Sequence, residues 1–407
     1  MQVDRMRKID RWVGIPLCFV FTCFEYLTRP FKRRQKRQDP QKIMFIELSE
    51  MGSIVLAYSL FNKTQALYPE AELYFLTFVD NRYALDLLQV IPEKKVLTIN
   101  AGSFFGFIFS SLKAIRDMRK HKIDLVLDME LFARVSALLS YLSGARSRIG
   151  YYRFHTEGLY RGELLTHKVQ YNPHIHMAYN LLNLIYAYSS PSQDPPLPKI
   201  SITKSDLLRP QHGASEEEQN KLLTKIESLE TAKISQKKII LLNPNASDMI
   251  PLRKWPLENY IQLAHRLLEN PQVQIILTGT QAENAKAEAI RNTLESPRCL
   301  NLAGQTTFPE LMTLYTLADI LVTNDSGPVH FSSMADIHSL ALFGPETPKL
   351  YGPLGKNHHV FYSNYSCSPC VSAFNHRKSP CDNNLCLQAI TVDEVFDRIQ
   401  RILSEIS

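Results

Sequence analysis

The stretch Ile320-Leu-Val-Thr-Asn-Asp-Ser-Gly-Pro-Val-His330 joins an apolar run to a polar turn and then to a proline suited to a first helical turn. A helix that starts where a strand ends turns its backbone N–H groups toward an anion. Ser326 or Gly327 is the expected cap. Asp325 cannot ligate a phosphate, since like charges repel. It accepts hydrogen bonds from sugar or ribose hydroxyls, or it braces the turn. An Asx-turn with a helix cap and no ligand would give the same pattern. A second loop, Asn243–Pro256, carries Asn245, Ser247, Arg253 and Lys254. Amide, hydroxyl and cationic groups together suit a diphosphate whose charge grows as its bond to a sugar breaks. A third loop, Leu277–Glu283, brings in the Glu283 carboxylate, either as an acceptor for ribose hydroxyls or as an acid at a helix start.

These loops need strands to end on and helices to follow. Candidate strands in the first half are Ile43–Leu48, Glu72–Phe78, Lys95–Ile99 and Asp124–Met129. Those in the second are Lys238–Asn243, Gln274–Thr278, Cys299–Ala303, Ile320–Thr323 and Ser339–Phe343. Runs such as Ile-Ile-Leu-Leu read as strands covered on both faces, as parallel strands are. Helical stretches lie between them, including Ser53–Leu67 and Phe104–His121. Leu257, Tyr260, Ile261, Ala264, Leu267 and Leu268 form one stripe after Pro256. Thr307-Phe-Pro-Glu310 has capping-box spacing. Alternation of this kind predicts doubly wound α/β sheets, with ligands outside the carboxyl ends of the strands. The domains expected are 42–205 and 237–407, joined by a linker over 206–236.

The loops resemble the donor-binding half of the lipopolysaccharide heptosyltransferases, glycosyltransferase family nine. The matching stretches are Asn243–Pro256, Gly279–Glu283, Ala303–Glu310, Thr323–His330 and Leu342-Phe-Gly-Pro-Glu-Thr-Pro348. Lys42–Leu56, Asp124–Gly150 and the helix near His176 extend the likeness to roughly residues 42–400. The resemblance implies a GT-B fold, two Rossmann-like domains facing across a cleft, and inverting transfer without a catalytic metal or other cofactor. It implies a nucleotide-sugar donor such as ADP-heptose and a lipid-linked saccharide acceptor. Donor contacts carry over to Ser247, Arg253, Glu283, Asp325, Ser326, Gly327 and His330.

One position departs from the family. Its first loop reads Gly-Asp, and that Asp is the usual candidate base; here Ser53 stands in its place. A serine hydroxyl has no useful basicity near neutral pH. Glu50, three residues earlier in the loop, is the preferred replacement, and Glu130 at the end of a neighbouring strand is the alternative. A non-catalytic scaffold that binds nucleotide sugars or glycans is the rival reading. No G-x-G-x-x-G or G-x-x-x-x-G-K-[ST] follows a first strand, which argues against dinucleotide and kinase chemistry.

The net charge of +6 lies entirely in residues 1–40, which hold ten Lys or Arg and four acids; the other 367 residues balance. A nucleic-acid enzyme spreads its basic residues over a binding face, so nucleic acid is not an expected partner. The basic flanks enclose Trp12–Leu27, an aromatic-rich run shorter than the roughly 20 apolar residues that span a bilayer. Arg and Lys follow it where a cleavage site would be needed for a signal peptide. Residues 1–41 are therefore expected to lie on an anionic membrane surface, holding the protein at the cytoplasmic face of a bacterial inner membrane.

Cys367, Cys370, Cys381 and Cys386 are spaced C-x2-C-x10-C-x4-C within the loop 367–386. Four thiolates suit structural zinc. Disulfides, an iron–sulfur centre or free thiols also fit this spacing.

Overall fold

The computed structural model describes residues 3–28, 30, 38–155, 157–189, 198–230, 237–246, 250–375 and 377–406. The chain divides into two compact units, Met1–Leu208 with Ala373–Asn375, and Arg209–Ser372 with His376–Ser407.

The first unit opens with two helices, α1 (Val3–Trp12) and α2 (Gly14–Thr28). There follow β1 (Lys42–Ile46), α3 (Met51–Leu56), α4 (Tyr58–Leu67), β2 (Glu72–Phe78), α5 (Arg82–Leu88) and β3 (Val96–Ile99). Then come α6 (Phe104–His121), β4 (Leu125–Asp128), α7 (Arg134–Leu142), β5 (Ser147–Tyr151), β6 (His167–Val169) and α8 (Met177–Ser189). The six strands form a parallel sheet in the order β3-β2-β1-β4-β5-β6. Every residue of β4 is buried, and only the first of β1 is not, as expected of strands covered on both faces.

The second unit repeats the plan. It contains α9 (Glu216–Glu230), β7 (Lys238–Asn243), α10 (Leu257–Leu268), β8 (Val273–Leu277), α11 (Asn284–Leu294), β9 (Cys299–Asn301) and α12 (Phe308–Leu317). After these come β10 (Ile320–Asn324), α13 (Gly327–Ser332), β11 (His338–Phe343), α14 (Pro348–Tyr351), β12 (His358–Tyr362), α15 (Leu385–Gln388) and α16 (Val392–Glu405). Its strand order, β12-β11-β10-β7-β8-β9, is that of the first sheet read from the other end. The predicted stripe of α10 packs with Val395, Ile399 and Ile402 of α16 in one core. Thr307 and Glu310 close the expected capping box.

All nine expected strands are present, and three more join them. Ser147–Tyr151 hides a buried Arg148, whose guanidinium is satisfied by the carbonyls of Leu164 and Ala145. His167–Val169 is three residues long, and His358–Tyr362 is a half-exposed edge strand. None of the three has the apolar run that marks a covered strand. The stretch read as one helix over Ser53–Leu67 is two, meeting at Ala57. Within 206–236 lies α9, held to α12 by a Lys225–Glu310 ion pair at 2.8 Å.

The N-terminal helices are keyed into the first unit. Asp10 accepts the backbone N–H groups of Arg134 and Val135 at the start of α7 and pairs with the Arg134 guanidinium at 2.9 Å. The buried residues of α2 are Gly14, Cys18 and Thr22, a small-residue row at helical spacing. A Cβ at Gly14 would meet Arg134 Cβ at 2.9 Å, and one at Gly162 would meet Thr22 Oγ1 at 2.5 Å. The Thr22 hydroxyl in turn accepts from Glu163 N at 2.8 Å. Among the described residues, no helix is long and apolar enough to cross a membrane.

Candidate functional site

In each sheet the strand order reverses once, between β1 and β4 in the first and between β7 and β10 in the second. At such a point the loops leaving two neighbouring strands diverge and open a crevice at the carboxyl edge. The candidate residues fall on these loops.

In the first unit the loop after β1 carries Glu47–Glu50, and Glu130 lies two residues beyond β4. Oε1 of Glu130 accepts the backbone N–H of Leu48 at 2.8 Å, that of Ser49 at 3.1 Å and the Ser49 hydroxyl at 3.1 Å. Burial pushes the Glu130 carboxyl up to about 6. The Leu48 N–H opposes that shift, while the charges of Glu50 and Asp128 reinforce it. Glu50 caps α3 with extended backbone, and its carboxylate accepts the Ser53 hydroxyl at 2.9 Å. The two candidate carboxylates are therefore electrostatic neighbours. Behind them Arg161 pairs with Asp128, both fully buried, and donates to the carbonyls of Tyr151 and Glu130. Arg161 so ties the ends of β4 and β5 together and fixes the turn that bears Glu130.

In the second unit Asn324, at the end of β10, is completely buried. Its Oδ1 accepts Trp255 N at 2.9 Å, and its Nδ2 donates to the Asn245 carbonyl at 3.1 Å. Asn245 Nδ2 donates to the Thr278 carbonyl at 3.4 Å. Asn245 is thus part of the frame that locks three loops together. A Cβ at Gly279 would lie 2.8 Å from Asn245 Nδ2 and 3.0 Å from Glu283 Oε2, so glycine allows those two side chains to close over the backbone. Glu283 also completes a capping box with Thr280.

Arg253 and Asp325, from different loops, form an ion pair at 3.2 Å. The pair links the turn after β10 to the loop after β7. Ser326 caps α13 by position, but its hydroxyl donates back to the Asn324 carbonyl at 3.1 Å. Helix α13 has only six residues, too few for a strong dipole. Gly327 begins it, and His330 is buried within it. The Lys254 carbonyl accepts Asn384 Nδ2 at 2.9 Å. Ser247 lies outside the described residues.

Glu346 lies within the Leu342–Pro348 motif, where its residue type and spacing point to no role. It is almost fully buried, with its Oε1 accepting Thr347 N at 3.1 Å. Burial pushes its carboxyl up to about 7, against the nearby charges of Arg377 and Arg253 and with that of Asp325. Asn324 and Arg161 are likewise not marked out by sequence. Their only signals are a polar residue ending an apolar run and an arginine in a loop, and both are common.

The cysteine loop wraps the turn that leads to Glu346. Cys370 N and Val371 N both donate to the Pro345 carbonyl, at 3.0 and 3.1 Å. A Cβ at Gly344 would meet Cys386 Sγ at 3.0 Å. Burial raises the Cys386 thiol, and Cys370 and Cys381 lie within its electrostatic reach. Cys367 is exposed. Among the described residues, no three His, Cys, Asp or Glu side chains are arranged to hold a metal ion, so the zinc expectation finds no support in the geometry.

Residues 111–379 match the family model described as glycosyltransferase family 9 (heptosyltransferase), well over half of the chain. Lipopolysaccharide heptosyltransferase 2 of Escherichia coli K12 is 26% identical over 323 residues, covering 78% of this chain and 87% of that protein. Lipooligosaccharide heptosyltransferase 2 of Haemophilus influenzae is 26% identical over 322 residues, covering 77% and 86%. The structure of E. coli ADP-heptose lps heptosyltransferase II is similar in fold, with a TM-score of 0.68 at 22% identity, covering 90% of this chain and 100% of that one.

Proposed function

The chain belongs to glycosyltransferase family 9, the heptosyltransferases, and from that premise we propose that it moves heptose from ADP-heptose to a lipid-linked saccharide of the lipopolysaccharide core or a related envelope glycan. The observation that carries the catalytic part is the Ser53–Glu50 hydrogen bond, which holds a carboxylate beside the position where the family has its Asp.

In this reading Glu50 is the base. It takes the proton of the acceptor hydroxyl as that oxygen bonds to the sugar's anomeric carbon, on the face opposite the departing diphosphate, which inverts the centre. Glu130 is the neighbour that fixes the loop through Leu48 and Ser49. The leaving ADP takes both electrons of the broken bond, and Arg253 and Lys254, with Ser247, Ser326 and Gly327, stabilise its charge without a metal. Asn245 and Asp325 shape this donor site, Glu283 meets the ribose, and His330 lines it. The helices α1 and α2, with the basic residues that follow, seat the protein on the anionic cytoplasmic face of the inner membrane.

A non-catalytic scaffold is favoured by one residue, Ser53. The test is hydrolysis and transfer by the purified protein, using ADP-heptose and a panel of other nucleotide sugars with membrane extract as acceptor. Transfer that is lost in Glu50→Gln supports the enzyme and its base. Tight donor binding with no transfer to any acceptor would leave the scaffold.

A further inference from the structure

Helix α6 carries an apolar surface that its sequence pattern did not announce. Its inner row, with Phe107, Ser111, Ala114, Ile115 and Met118, faces the core of the first unit. On the outer side Phe105 is 71% exposed, Phe109 68% and Leu112 58%, with Phe104 and Ile108 beside them. One or two turns further on, the same side presents Lys113, Arg116 and Lys120, all exposed. The helix is thus apolar over its first half and basic over its second. The apolar half begins just after β3, at the carboxyl edge of the sheet, where Glu50 and Glu130 also lie.

Helices α6, α1 and α2 all pack on α7. Met6 of α1, Phe107 and Ile115 of α6 and Val135 of α7 all pack against the core of the first unit. Cys18 and Phe21 of α2 pack with Ala137, Leu138 and Tyr141 on the other side of α7. The outer surface of α2 is also apolar and exposed, including Trp12 just before it and Phe19, Phe24 and Leu27 within it. Two neighbours of α7 therefore leave aromatic side chains in water, and a third, α1, presents Arg5, Lys8 and Arg11.

We propose that the outer face of α6 is a second lipid-contact surface, which inserts Phe105, Phe109 and Leu112 into an anionic bilayer while Lys113, Arg116 and Lys120 meet its headgroups. The inference rests on the reading of the N-terminal helices as membrane-seeking and extends it to a helix of the catalytic body. With two contact helices, the carboxyl edge of the first sheet is held at a set orientation to the bilayer from which a lipid-linked acceptor would be presented. Charge complementarity selects lipid over a second copy of the chain. Pairing this face with itself would set Lys113, Arg116 and Lys120 against their own kind. Of the acids described on α6 and α2, Glu25 lies near Tyr141 and Arg148, and Asp117, 3.9 Å from Arg116, offsets one of the three cations of the face and leaves it net positive. Apolar side chains ringed by cations are the pattern that binds anionic interfaces.

The test is co-sedimentation of the full-length protein with vesicles of phosphatidylglycerol and phosphatidylethanolamine, and with neutral phosphatidylcholine vesicles, with far-UV circular dichroism as the check on folding. Three variants are compared with wild type: Phe105→Ser/Phe109→Ser, Phe19→Ser/Phe24→Ser, and Lys113→Glu/Arg116→Glu. The last leaves the apolar surface intact and covers the case in which the first fails to fold. The expected result is anionic binding weakened about tenfold in each, with neutral vesicles bound poorly throughout. Wild-type binding in the α6 variants, with loss only in the α2 variant, would overturn this inference and leave the N-terminal reading standing. Unchanged binding in all three would overturn both. A lipid-free dimer that dissociates in Phe105→Ser/Phe109→Ser would assign the face to a second copy instead.

Discussion

The Ser53 hydroxyl donates to the Glu50 carboxylate at 2.9 Å, across one turn at the start of α3. A residue with no basicity of its own thereby orients one that has it. Ser53→Ala removes this donor from the carboxylate. The expected result is a fall of about tenfold in kcat with KM for the donor nearly unchanged, since misplacing a base costs the chemical step and not donor binding. Steady-state kinetics at varied ADP-heptose check it.

Arg253 and Asp325 are a nearly buried ion pair. Asp325→Ala removes the ion-pair partner of the Arg253 guanidinium, leaving the Glu346 carboxyl near it, and is expected to cost about 3 kcal/mol of stability. Donor affinity should fall as well, since the cation loses its aim. Urea denaturation and calorimetric titration with ADP measure the two effects separately. In a double-mutant cycle with Arg253→Ala, the two losses should not add.

Glu346 gives a pH dependence of definite sign. Folded, its carboxyl is pushed from 4.5 up to about 7, so between those values the folded state keeps a proton that the unfolded chain has released. Its contribution to stability is therefore full below pH 4.5 and lost as pH rises toward 7. Each pH unit across that window is worth about 1.4 kcal/mol, which bounds the loss at about 3 kcal/mol. Glu346→Gln has no proton to lose, so the stability difference between variant and wild type should grow in the variant's favour across that window. Melting temperatures of both proteins from pH 4.5 to 7.5 show whether it does.

Asp10 ties the N-terminal helices to α7, accepting two backbone N–H groups and pairing with Arg134. Asp10→Ala should destabilise the first unit by about 2–4 kcal/mol, through the lost cap and the unpaired arginine. Limited proteolysis should then cut within residues 1–41 first. Arg11→Ala, on the exposed side of α1, is the control that should leave the cleavage pattern unchanged.

The sheets were legible because β1, β2, β7 and β10 are apolar along nearly their whole length, a pattern that only strands covered on both faces require. The candidate donor loops could be named because Asn245, Asp325 and Ser326 follow such strands closely and Arg253 lies in the same loop as Asn245. Glu50 and Glu130 could be named, with Glu50 preferred, but the backbone N–H groups that the Glu130 carboxylate meets could not. Asn324, Arg161 and Glu346 were hidden for a related reason. Each works through partners outside its own segment: Asn324 binds Trp255, 69 residues away, and Arg161 pairs with Asp128, 33 residues away. The apolar face of α6 was hidden because its aromatics point both inward and outward, and composition alone does not say which are covered.

The most direct measurement is kcat for heptose transfer by wild type, Glu50→Gln and Glu130→Gln, each confirmed as folded and each saturated with ADP-heptose. The account predicts a loss of about 10²–10⁴-fold in Glu50→Gln and a smaller one in Glu130→Gln, whose amide still accepts the loop's N–H groups. Near-normal turnover in Glu50→Gln would contradict it, and loss confined to Glu130→Gln would move the base to the neighbouring strand.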